Sequence, residues 1–184
     1  MNCLLFLPLI ILSLLLPENL PQNSISIGDN HAGGIVFYLD VSGNHGMVAA
    51  SFDQTWEENG EKIVRFEWGC PTTRIIGADE SRVGSGPKNT LEIEKGCEME
   101  RNAADVCWNL YLNGLDNWFL PSKDELDLIY KNLHKKGLGK FAEGSYWSST
   151  ESSTFAAWSQ NFGGGAQNVI DKSNMAYVRA ARAF

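Results

Sequence analysis

Residues 156–169 hold the chain's clearest recognition chemistry. Trp158 is followed by Gln160, Asn161, Gln167 and Asn168, with a run of glycines, Gly163 to Gly165, between them. An indole offers a wide flat apolar face, and side-chain amides both donate and accept hydrogen bonds. Together they suit a sugar ring or a protein loop. Strand alternation sets Trp158, Gln160 and Phe162 on one side and Ser159 and Asn161 on the other. Trp158, Gln160, Asn161, Gln167 and Asn168 are therefore the expected ligand contacts. The competing reading makes Trp158 a core residue and its polar neighbours a solvated loop.

Reaction chemistry finds less support. Ser148, Ser149 and His134 supply a nucleophile and a base by type, but no GxSxG elbow or HExxH motif frames them. Residues 84–90, GSGPKNT, look like a phosphate loop at first sight. The lysine is not followed directly by Ser or Thr, and Pro87 removes an amide that a phosphate needs, so a structural turn is expected. The carboxylates Asp79, Glu80, Glu92, Glu94 and Glu98 lack the alternating Asp/Asn pattern of a calcium loop. There is no CxxC, and the histidines are scattered, so no zinc site is expected. No catalysis, metal or cofactor is anticipated.

The cysteines point to oxidation instead. Cys70 and Cys97 each follow a glycine in loop-like sequence, whereas Cys107 lies on a helical stripe with Met99, Ala103 and Leu110. A Cys70–Cys97 disulfide with Cys107 buried and free is expected, and Cys97–Cys107 is the alternative. A net charge of −7 argues against a mainly electrostatic grip on nucleic acid or an anionic membrane. Residues 3–16 are almost unbroken apolar, too short a run to cross a bilayer comfortably. They fit a signal peptide or N-terminal anchor over residues 1–24, with one domain from 25 to 184 and no stable membrane span in the mature chain.

The elements that must position these residues are legible in places. Residues 116–137 read as one folding instruction. Pro121 follows an aromatic-rich extended run, Ser122 and Glu125 form a capping box, and Leu126, Ile129, Tyr130 and Leu133 make an apolar face. Lys135, Lys136 and Gly137 then end the helix, expected over 123–136. A second helix is expected over 98–112. Residues 35–39 and 47–51 read as an opening hairpin, and residues 52–90 as a long irregular excursion of the kind that is functional or stapled by a disulfide. Strands return at 146–149, 156–162, 169–171 and 176–183. This order describes an α+β domain with helices packed on a mostly antiparallel sheet.

WFLPSKDEL at 118–126, YWSSTE at 146–151, YVRAARAF at the carboxyl end, GGIVFYLD at 33–40 and WGC at 68–70 resemble the Lcl C-terminal domain family, named after a collagen-like adhesin of Legionella. The resemblance covers roughly residues 33–184. It implies a C-type-lectin-like arrangement, with the final strand returning to pair near the first and Trp118 and Trp147 in the core. The calcium-and-sugar motifs of animal lectins, Glu-Pro-Asn and Trp-Asn-Asp, are absent. The resulting expectation is a non-catalytic adhesin or ligand-recognition module, secreted or held at the bacterial envelope or surface, with an extracellular glycan or protein ligand. The alternatives are a self-associating, homo-oligomeric envelope protein and, less favoured, an enzyme.

Overall fold

A computed structural model describes residues 24–184, so the expected leader, apart from Ser24, lies outside the described residues. The chain opens with β1 (Asn30–His31), β2 (Gly34–Leu39) and β3 (Gly46–Ala49). The hairpin of β2 and β3 is the expected one, with a register shift between Val36 and Tyr38. The last strand, β9 (Ala181–Ala183), pairs antiparallel with β3, giving the sheet order β1-β2-β3-β9. Both ends of the domain therefore share one sheet. Strand structure was expected from residue 176, but residues 176–180 make only isolated bridges, such as Phe66 with Ala176.

The excursion holds a second hairpin, β4 (Trp56–Glu58) and β5 (Glu61–Ile63). Its turn residues Asn59 and Gly60 have φ of 52° and 82°, which suits the tight turns that twist with their strands. Helix α1 (Gly86–Gly96) begins inside the segment expected to be only a turn. Pro87 sits in its first turn, where the missing amide costs nothing. Gly86 is required by close approach, since a Cβ there would meet Glu125 Oε2 at 2.3 Å and the Phe119 ring at 2.7 Å.

The helix expected over 98–112 shrinks to α2 (Asp105–Trp108). Cys97 is fixed by a disulfide, Arg101 adopts a left-handed φ of 60°, and the Asn102 side chain accepts from Ala104 and Asp105 amides at 2.8 and 3.0 Å. These interactions start the helix late. Helix α3 (Lys123–Asn132) carries the full capping box, and a 3-10 turn at His134–Lys136 completes the expected length up to Gly137, φ 71°. It packs on β2 and on a second sheet, β6 (Ser145–Glu151), β7 (Ala156–Asn161) and β8 (Gln167–Asp171), ordered β6-β7-β8. The observed fold is α+β, with mostly antiparallel sheets and short helices. Trp118 and Trp147 are fully buried as expected, and the Trp147 indole donates to the Phe66 carbonyl at 2.8 Å.

Candidate ligand-binding surfaces

The cluster expected on β7 and β8 is assembled only in part. Register pairs Trp158 with Val169, Ser159 with Asn168 and Gln160 with Gln167, so Trp158, Gln160 and Gln167 share one side. Gln160 is fully buried, and its amide donates to Asp127 at 3.0 Å and to the Gly165 carbonyl at 3.2 Å. It ties the glycine turn to α3. Asn161 Oδ1 accepts from the Gly164 amide at 3.0 Å, an arrangement that builds the turn itself. Trp158 is part-exposed, with the Lys123 ammonium 4.3 Å from its ring centroid. Gln167 is part-exposed and donates to the Lys123 carbonyl at 2.9 Å, while Asn168 is exposed on the opposite side of the sheet. Trp158 and Gln167, with Lys123, thus form one surface, and Gln160 belongs to the interior.

A second surface lies in the excursion. The β4–β5 hairpin and residues 100–105 enclose an open cleft of about 630 Å³, lined by Trp56, Glu57, Glu58, Asn59, Glu100, Arg101 and Asp105. That size is ordinary for a small-ligand site. Trp56 is 42% exposed and no core residue claims it. Arg101 pairs with Glu58 across the cleft, joining the hairpin to the segment before α2. The Arg101 amide donates to Asp105 Oδ2 at 2.7 Å, which steadies that segment. An indole wall beside carboxylates and a guanidinium can stack on an apolar ring face and bond several hydroxyl or amine groups. The sequence reading missed this cleft. The Asn59-Gly60 dipeptide between Trp56-Glu57-Glu58 and Glu61-Lys62-Ile63 was the available signal.

A covalent bond ties the excursion to the end of α1. Cys70 and Cys97 form the expected disulfide, Cα–Cα 5.6 Å, and Cys107 is a free, buried thiol. Complete burial pushes the Cys107 thiol well above its usual range, which keeps it unreactive. Next to it, Glu94 is lifted to about 7, by burial first and then by the charge of Asp105. Its Oε1 is buried without a hydrogen-bond partner.

The groups named for reaction chemistry sit apart from both surfaces. Ser148 and Ser149 are buried in β6, the Ser148 hydroxyl donating to the Trp158 carbonyl at 2.8 Å. His134 packs against Tyr130 and Phe162, with ring centroids 5.5 and 5.2 Å away. One charged group the sequence did not flag is Lys172. It is fully buried, 2.5 Å from Glu151, which also meets Arg74 at 2.9 Å and the Ile75 amide at 2.9 Å. This network pins the loop after Cys70. Among the described residues no group of His, Cys, Asp or Glu is placed to hold a metal ion.

The fold has a counterpart among solved structures. A fimbrial protein from Bacteroides ovatus superimposes with a TM-score of 0.54 at 16% identity, over 85% of this chain and 48% of that one. The chain thus spans about half the length of that protein. No curated protein matches the sequence. The profile of the Lcl C-terminal domain matches residues 51–182, and the chain belongs to that family.

Proposed function

We propose that this chain is a non-catalytic binding module displayed at the bacterial surface or secreted, of adhesin type, with a glycan or protein ligand. The observation that carries this reading is the open cleft beside Trp56. A large indole stands in solvent against Glu57, Glu58, Glu100, Asp105 and Arg101. The disulfide supports an oxidising, exported setting. The likeness to a fimbrial protein and the family membership favour a surface role. The shared sheet of the first and last strands, followed by helices and a second antiparallel sheet, supports a C-type-lectin-like arrangement.

Trp158 and Gln167, with Lys123, remain a second candidate surface, favoured by the Lys123 ammonium over a part-exposed indole, with Asn168 on the other side of the sheet. Gln160 and Asn161 serve the fold in either case. A screen of the chain against glycan and host-matrix panels tests the reading, with heat-denatured chain as control. Retention by the folded chain alone is expected. Equal retention of folded and denatured chain, or of neither, would contradict it.

A further inference from the structure

β8 is the outer edge of its sheet, and β7 is the strand hydrogen-bonded to it. The parity of that ladder decides which backbone groups face outward. The Asn161 amide donates to the Ala166 carbonyl and the Lys172 amide to the Phe155 carbonyl, each at 2.9 Å. Hydrogen-bonded pairs alternate with non-bonded pairs in an antiparallel ladder, and the register pairs Trp158 with Val169 and Gln160 with Gln167. Gln167, Val169 and Asp171 therefore turn their N–H and C=O groups away from β7. Of these, the Asp171 carbonyl accepts from the Asn174 amide at 2.9 Å.

This short edge carries one charge, Asp171, at its end and otherwise little of the usual protection. The strand Gln167–Asp171 contains no Pro or Lys, its register with β7 has no bulge, and Val169 is 44% exposed. Apart from the Asp171 carbonyl, these outward amides and carbonyls have no partner among the described residues, and at strand spacing they select an extended strand. The same strand from a second copy is complementary to it. A two-fold axis through Val169 sets Val169 against Val169 and Gln167 against Asp171 of the second copy, so no like charges meet. The incoming carboxylate also finds a cation. Lys123, whose carbonyl holds the Gln167 amide, makes no ion pair among the described residues and rests over Trp158.

We propose that two copies of this chain pair through their β8 edges, antiparallel about Val169, joining two three-stranded sheets into one, with Asp171 of each copy beside Lys123 of the other. The pairing covers Gln167 and leaves the Trp56 cleft open, so it stands independently of the ligand reading.

Sedimentation velocity of the purified chain over a range of concentrations tests this. A short strand pair is a small interface, so a weak, concentration-dependent dimer is expected. Val169→Lys alters an exposed residue and sets two ammonium groups face to face across the axis; it should abolish the dimer while circular dichroism stays unchanged. Asp171→Lys should weaken association about tenfold or more, and adding Lys123→Asp should restore it. A chain that stays monomeric up to about 1 mM overturns the proposal and leaves the edge to a strand of another protein. So does a dimer that survives Val169→Lys in a folded chain. Unchanged affinity in Asp171→Lys overturns the register.

Discussion

Two carboxylates that burial holds toward the neutral form act in opposite ways. Glu125 accepts the amides of Ser122 and Gly84, each at 2.7 Å, so one side chain secures the start of α3 and the approach to α1. Its Oε2 also occupies the space a Cβ on Gly86 would fill. Glu125→Ala strands these amides and should cost about 3 kcal/mol in a urea titration, more than the roughly 1 kcal/mol expected for loss of the Ser122 cap alone. Glu94 is different, because nothing pairs its buried Oε1. Its carboxyl is raised from 4.5 to about 7, so between those values the folded chain keeps a proton that the unfolded chain releases. Stability must then fall as pH rises through this window and level off above it. Glu94→Gln should flatten that slope and raise stability above about pH 7 by about 1 kcal/mol, discounted because the side chain is half-buried. Stability curves of the two chains at several pH values check the sign.

At the scale of elements, local signals were readable where sequence and packing agree. Helix α3 begins at the expected residue because Ser122 and Glu125 bond each other's amides as well as the core. The hairpin of β2 and β3 follows from apolar runs around a polar loop. Helix α1 was hidden because Gly86 and Pro87 look like breakers, whereas the glycine admits Glu125 and the proline opens the first turn. The long second helix failed for a non-local reason, since Arg101 turns left-handed where it meets Glu58 of the hairpin. Trp158 and Gln160 illustrate the same limit. Alternation predicts that they share a side, but only the position of α3 decides that Gln160 is covered. The disulfide was readable from glycine-flanked cysteines, and it joins the hairpin side of the excursion to the end of α1 across a sequence separation of 27 residues. Replacing both cysteines by serine should lower stability by about 3.5 kcal/mol in the loop-entropy estimate, measurable as a lower urea midpoint.

At the scale of the whole molecule, the Trp56 cleft and the outer edge of the β6-β7-β8 sheet lie on different elements, the β4–β5 hairpin and β8. The proposed capture of a ligand and the proposed pairing of copies are thereby separable by mutation. The buried Lys172–Glu151 pair, with exposed Arg74, and the disulfide fix the loop joining the hairpin to α1. In the proposed function Trp56 anchors the ligand. The most direct test is the affinity of Trp56→Ala and Trp158→Ala for the ligand retained in the panel screen, measured beside their melting temperatures. Trp56→Ala should melt like the parent chain and lose about 2 kcal/mol of binding, roughly thirtyfold, while Trp158→Ala keeps its affinity. A folded Trp56→Ala chain that binds as tightly as the parent would contradict the account.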